Sequence, residues 1–359
     1  MSGYSLVKEF NSIKGVEYPW TAELSKWATQ KAIQNLGDAF KRFFKKVAKY
    51  PTRKKKTLTK PSFYLGQNCF KVTGKHLKVP KLDQPIKMSQ PIRFDGDVKS
   101  VVISRDACGD WYASFQVSLP ENYIDPRRCE STDMVGVDLG LHTLATLSTG
   151  EKIENPKTLK THERKLKRLQ RVVSRRRKGS SNRARARLRL AHAHRKVSRI
   201  RVDYTHKVTS RLVRTFRVIG IEDLNVRGMV RNRRLAKSLL DAAFREFRRQ
   251  VEYKSQLSGS NVAVAARFFP SSKLCSSCGV RISVLPLHIR EWDCPACGAH
   301  HDRDVNAAVN LEHVAWSHWE TINACGEGVR PPVHCPVRDV NKRQSSTKQE
   351  SEGVLCLNY

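Results

Sequence analysis

Two cysteine pairs, Cys275-x-x-Cys278 and Cys294-x-x-Cys297, separated by fifteen residues, constrain this chain more than any other feature of its sequence. Each turn offers two thiolates, so the two together can complete one tetrahedral zinc site at the spacing of a four-cysteine ribbon. Gly279 and Gly298 each follow a pair directly and admit the left-handed backbone that such turns commonly require. A redox pair has no reason to come doubled at this interval. Four thiolates close the coordination shell, which makes the ion structural and leaves His288, His300 and His301 outside the ligand set. The other six cysteines, among them Cys69, Cys108 and Cys356, are scattered. That usage fits a reducing compartment rather than a disulfide framework.

The chain has 359 residues, room for two or three domains, and carries 67 Lys+Arg against 33 Asp+Glu for a formal charge of +34. Such an excess repels itself unless a polyanion is bound, and nucleic acid is the leading partner. A ribosomal or membrane-surface protein is disfavoured, because the charge accompanies periodic apolar segments and a metal-like cysteine cluster. There is no apolar run of membrane-spanning length, and Met1 to Phe10 lacks the layout of a secretory signal. A soluble, cytoplasmic protein without a membrane partner is expected.

Apolar residues at helical spacing from Thr21 to Ala48 (Trp27, Leu36, Phe40, Phe43, Val47) predict one amphipathic helix. Trp20, Trp27, Phe40, Phe43 and Phe44 are read as core packing rather than base-stacking groups. Phe63 to Leu119, with Lys99–Ile103 and Trp111–Val117, reads as a small β-domain. Met134–Leu139 is strand-like and His142–Ser148 alternates as its hairpin partner. Thr161 to Arg217 is an Arg- and Lys-rich helical pattern broken once at Gly179-Ser180-Ser181-Asn182, hence a helical hairpin. Phe216–Ile221 and Asn261–Phe269 predict strands, Leu239–Leu257 a helix, and a final helix starts near Asp304 and runs through Asn310. From about Gly326 the composition predicts a disordered tail.

Three acids stand at the ends of such elements: Asp138 in Gly-Val-Asp-Leu-Gly, Glu222 after Val218–Ile221, and Asp304 after His-Asp-Arg. Singly each is an ordinary cap or turn residue. Gathered at one sheet edge they would repel one another unless divalent cations neutralised them. Carboxylate oxygens favour Mg²⁺ or Mn²⁺, and two such ions can support phosphodiester hydrolysis.

The segments GVDLG (136–140), GIEDLN (220–225) and DRDVNAA (302–308), with the cysteine cluster before the third, resemble the three split RuvC motifs of the TnpB family. These OrfB-type transposases are transposon-encoded relatives of the type V CRISPR effectors. The resemblance runs from about Pro19 onward and includes the Ala324-Cys-Gly-Glu start of the tail. It implies an α/β multidomain protein: an RNase H-like (RuvC) nuclease fold with an inserted zinc ribbon, preceded by a partial helical recognition region and a small β-barrel-like wedge domain. The implied bounds are 1–56 for the recognition region, 57–130 for the wedge, 131–269 for the nuclease part with the basic hairpin 161–217, 270–300 for the ribbon, 301–325 for the last motif and 326–359 for the tail.

The resemblance further implies an RNA-guided endonuclease acting on double-stranded DNA in a prokaryotic cell, nucleoid-associated when bound, with a guide RNA from the transposon end. Asp138, Glu222 and Asp304 would hold Mg²⁺ or Mn²⁺. The family pattern selects Asp304 over Asp302 because it lies two residues before Asn306; Asp223 and Asp302 would be supporting groups. Within the hairpin, Arg164, Arg168, Arg171, Arg175, Arg176, Arg183 and Arg187 are the candidate phosphate contacts, because Leu166, Leu169 and Val173 keep apolar spacing inside the charge. The usual additional N-terminal segment of the family is not seen before Met1, so a shortened recognition module is expected. A non-cleaving RNA-guided or sequence-directed DNA-binding regulator and an unguided transposase or resolvase-type nuclease are the alternatives.

Overall fold

The computed structural model describes residues 3–54, 60–120, 123, 129–286, 288–325 and 338–339. The expected disordered tail from 326 lies outside the described residues, apart from 338–339. The chain divides into two compact units, Met1–Tyr123 with Lys165–Arg195, and Ile124–Arg164 with Lys196–Tyr359.

The first unit begins with a helix not foreseen from sequence, α1 (Gly3–Glu17). The single helix expected over Thr21–Ala48 is instead a 3₁₀ turn at Pro19–Glu23 followed by α2 (Lys26–Phe44). Extended Leu24 and Ser25 break the helical path between them. Strands β1 (Ser62–Gly66), β2 (Lys71–Thr73), β3 (His76–Lys78), β4 (Ile86–Lys87), β5 (Asp97–Arg105) and β6 (Trp111–Ser118) form two antiparallel sheets, ordered β1-β5-β6 and β2-β3-β4. Leu65, Leu77, Val79, Val101 and Ile103 make their shared core. Gly66 lets the Trp27 ring lie directly on β1, where the indole N–H donates to Cys69 Sγ at 2.7 Å. Trp20, in the 3₁₀ turn, and Phe44, at the end of α2, correct the core-packing expectation. Trp20 is 58% and Phe44 75% exposed, while Phe40, Phe43 and Phe44 stack among themselves and on Tyr50 past the helix end.

In the second unit β7 (Met134–Leu139), β8 (Thr143–Leu147) and β9 (Lys152–Glu154) form an antiparallel meander. The basic segment is α3 (Thr158–Arg175) and α4 (Ser181–Thr215), joined by a turn in which Gly179 has φ +85°. The hairpin's outer part belongs to the first unit, where Arg195 pairs with Asp106 at 2.9 Å and with Asp110. The chain then forms β10 (Val218–Glu222), α5 (Val226–Met229), α6 (Arg233–Ala242), α7 (Phe244–Ser258) and β11 (Asn261–Ala265). The helix expected over Leu239–Leu257 is thus two helices. They meet at Ala243, whose left-handed φ of +55° lets Leu239, Ala242 and Phe244 all enter one cluster with Leu144. After β12 (Val280–Arg281), β13 (Glu291–Asp293) and β14 (His300–Asp302), α8 (Arg303–Cys325) extends well past the expected Asn310.

The main sheet has the order β11-β10-β7-β8-β9, with β10 parallel to both β7 and β11. Parallel neighbours need crossover connections, and helices supply them here. The strands are apolar without alternation because both faces are covered. Val135, Val137, Ile219 and Ile221 pack under Val208, Leu212, Phe247 and Val251 of α4 and α7. Met134, Val218, Ala263 and Ala265 pack under Leu311, Val314 and Ala315 of α8.

Two glycines set how closely α8 approaches. A Cβ on Gly136 would stand 1.8 Å from Ala308 O, and one on Gly220 2.0 Å from Leu311 O. Backbone lies on backbone at both places. Gly136→Ala is therefore expected to force the helix off the sheet and destabilise the protein by about 1–3 kcal/mol, read as a lower midpoint in denaturant; an unchanged midpoint would mean that α8 is not held this tightly.

Candidate active site

Side chains on a strand alternate between faces, so the residues two after these glycines, Asp138 and Glu222, also face α8. The parallel register pairs Gly220 with Gly136 and Ile221 with Val137, which carries Glu222 to the level of Asp138 on the neighbouring strand. Thr146 of β8 flanks Asp138 on the other side. Asp304 lies one helical turn before Ala308, the residue resting on Gly136, and so on the same side of α8 at its first turn. The helix seat thus brings the third acid over the first two.

The electrostatics follow from that placement. Burial, followed by the charges of Glu222 and Asp304, pushes the Asp138 carboxyl from 3.8 up to about 8, against smaller opposing effects of Arg303 and Arg290. Glu222 is also raised by burial, in part offset by a hydrogen bond from Ser271 Oγ. An oxygen-only donor set in which the charges of Glu222 and Asp304 bear on a buried Asp138 suits a hard divalent cation.

Asp302 has a different task. Its Oδ1 accepts the Asp304 and Val305 N–H groups at 3.0 Å each, the N-cap arrangement for α8, and its Oδ2 pairs with Lys152 at 2.7 Å. Burial would raise this carboxyl, but these bonds hold it below its ordinary value. Asp223 is clamped by Arg248 at 2.6 Å and Arg267 at 2.8 Å, which keep it ionised with a lowered pKa. Sequence reasoning missed Arg290, whose guanidinium reaches Asp304 Oδ1 at 3.4 Å from the segment between the cysteine pairs.

Two clefts border the acids. One, about 400 Å³, is lined by His142, Lys157, Lys160, Arg290 and Asp304. The other, about 440 Å³, is lined by Glu222, Arg227, Arg245, Arg248 and Arg267.

The sulfur atoms of Cys275, Cys278, Cys294 and Cys297 lie within 4.8 Å of one another, the one such cluster of potential metal ligands among the described residues. Gly279 and Gly298 both take φ +72°, as the two turns demand. Four converging thiols with matched turns fit a zinc ion. His301 Nε2 lies 3.0 Å from Cys275 Sγ with its ring against Trp292, a neighbour of the cluster beyond the four sulfurs. Of the hairpin arginines, Arg164, Arg168, Arg171, Arg175, Arg176 and Arg187 are exposed. Arg183 instead donates to Val173 O at 2.9 Å and Arg176 O at 2.7 Å, capping the C-terminal carbonyls of α3. No helix among the described residues is long and apolar enough to cross a membrane.

Comparison with known proteins agrees with these motifs. Residues 114–233 match the OrfB_IS605 model, described as a probable transposase, and residues 244–311 match the Cas12f1-like TNB domain. A solved Cas12f1–sgRNA–target DNA complex aligns over 86% of this chain and 90% of that one at 14% identity, with a TM-score of 0.35, too low to bear on the fold. InsQ of Escherichia coli K12, named a "Putative RNA-guided DNA endonuclease", is 32% identical over 88% of this chain and 79% of its own length. A protein of the same description from Streptomyces pristinaespiralis is 40% identical over 94% of this chain and 82% of its own. Identity of that extent places this chain in the TnpB family.

Proposed function

We propose that this protein is an RNA-guided DNA endonuclease of a transposable element, hydrolysing phosphodiesters at Asp138, Glu222 and Asp304. The observation that carries the reading is the convergence of these acids under the first turn of α8, where Asp138 is pushed up to about 8 by burial and by the other two. The strand order, three antiparallel strands followed by two parallel ones added at the β7 edge, supports an RNase H-like fold. The names of the relatives supply the guided-nuclease part of the reading.

The carboxylates would hold two Mg²⁺ or Mn²⁺ ions, which when bound activate water and stabilise the leaving oxygen. Asp302 fixes the end of α8, and Arg290 stands where it can meet a phosphate oxygen once Asp304 is committed to an ion. The arginine- and lysine-lined clefts supply cations on both sides of the acids for a DNA strand. The ribbon holds Zn²⁺ as a structural ion, and the guide RNA derives from the transposon end.

The test is purification with the bound RNA, sequencing of that RNA, and cleavage of a matching duplex with and without a Mg²⁺ chelator. A discrete RNA and chelator-sensitive cutting are expected; random RNA fragments would defeat the guided reading, and cutting that survives chelation the metal one. The exposed hairpin arginines are read as contacts to the nucleic-acid backbone. Arg168→Ala with Arg171→Ala is expected to reduce the slope of log affinity against log salt by about 0.7–0.9 per lost contact. An unaltered slope in binding titrations would remove both from the interface.

A further inference from the structure

Ser271 stands where the ribbon, α8 and the acids meet. It is 5% exposed, opens the short turn Ser271–Lys273 that leads into the first cysteine pair, and donates its hydroxyl to Glu222 Oε1. The turn is held from the other side. Asn310 Nδ2 donates to Ser271 O and Leu274 O at 2.7 Å each, and Asn306 Nδ2 donates to Leu274 O at 2.7 Å and more weakly to Ser271 O at 3.5 Å. Asn306 Oδ1 accepts the Ser276 N–H at 2.9 Å, inside the Cys275–Cys278 turn. Both asparagines are at most 2% exposed and lie one turn apart on α8, the helix whose first turn carries Asp304.

A buried serine is commonly no more than a satisfied polar group. This one donates to a single oxygen of Glu222, and its backbone carbonyl is held by the same helix that carries Asp304. Cys275 follows Leu274 directly, so closing the four-cysteine cluster fixes the same turn from the ribbon side. We propose that Ser271 is a positioning residue for divalent-ion capture, orienting Glu222 relative to Asp304 through a turn that the zinc ribbon and α8 hold between them. This inference rests on the assignment of Glu222 and Asp304 as ion ligands. A linkage of this kind is reciprocal, so a formed ribbon favours ion binding at the acids.

The test uses the full chain and Mn²⁺ alone, followed by calorimetry or electron paramagnetic resonance, with cleavage measured against Mn²⁺ concentration. Ser271→Ala is expected to weaken Mn²⁺ binding about tenfold or more and to raise the half-saturating Mn²⁺ for cleavage by the same factor. Most of the rate should return at saturating Mn²⁺, and the zinc content should stay unchanged. Ser271→Thr, which keeps the hydroxyl, should restore wild-type affinity. Unchanged Mn²⁺ affinity in Ser271→Ala, or weakened affinity accompanied by loss of zinc, would overturn the proposal. Glu222→Gln separates the two levels: if Mn²⁺ binds this variant as it binds the wild type, the ion-ligand assignment itself is wrong.

Discussion

Asp138→Asn is expected to abolish cleavage, by about 100-fold or more, while raising the melting temperature of the metal-free protein. The two effects share one cause. Asparagine keeps the shape of the side chain but removes a carboxylate oxygen that an ion requires. It also removes a charge that the folded protein accommodates poorly: burial and two neighbouring acids push this carboxyl from 3.8 up to about 8. Between those values the folded state holds a proton that the unfolded chain has lost. The unfolded state therefore binds fewer protons, and the stability of the metal-free wild type falls as pH rises from about 4 to about 8. Glu222, raised in the same direction, adds to the slope.

Melting in the presence of a chelator at pH 5 and pH 8 measures this directly. The variant should match the wild type at the lower pH and exceed it at the higher. A variant that melts below the wild type at pH 8 would show that Asp138 is not electrostatically strained. Glu222→Gln and Asp304→Asn should lose cleavage to a similar degree, and guide and target binding should persist in all three.

Cys294→Ser is expected to empty the ribbon of zinc and to unfold it without melting the main sheet. The Cys294 thiol is 2% exposed, and the ribbon's own core is little more than the cysteines with Leu285 and Trp292. A cluster of that size cannot offset the entropy of ordering some thirty residues. The ion must supply the difference, and structural zinc sites bind with apparent energies on the order of 10–16 kcal/mol. Metal analysis by mass spectrometry should show zinc falling from about one ion per chain to near zero. Hydrogen exchange should rise across 272–302 and remain slow in β7 and β10. Protection of the ribbon amides in the zinc-free variant would count against a metal-dependent fold.

The centre was legible where chemistry dictates residue type and hidden where backbone geometry does. Cysteine spacing identifies the thiol cluster, whereas the acids, each an ordinary strand-end or helix-start residue by itself, stand out only as an ordered set within the three family-like motifs. The preference for Asp304 over Asp302 rests on the family pattern; the structure adds that Asp302 is engaged as the N-cap of α8. Gly136 and Gly220 carry no readable signal in the sequence, because what makes them glycine is the backbone of α8, which meets their strands only in the fold. Asn306 enters the sequence reading only as a motif position and Asn310 only as a point on the last helix, because their partners are carbonyls more than thirty positions away.

Helix α1 escaped notice because Gly3 and Gly15 lower its helix propensity and only Val7 is buried along it. The break at Ala243 was equally hidden, since alanine ordinarily favours continuing a helix. Arg183 could not be told from its neighbours by sequence, since its task depends on the exposed carbonyls at the end of α3.

The seat of α8 on Gly136 has a consequence for how this chain can change length. One residue added between Asp304 and Ala308 would turn the carboxylate about 100° around the helix axis, away from its partners, with the rest of the helix still in place. No rotamer recovers that angle. The interval from 279 to 285, ahead of the segment that Arg303 and Asp304 hold at Pro286 and Arg290, carries no such phase requirement, because the sulfurs need only meet. Insertions and deletions that preserve cutting should therefore collect in that interval, while the four-residue step from Asp304 to Ala308 stays invariant in length.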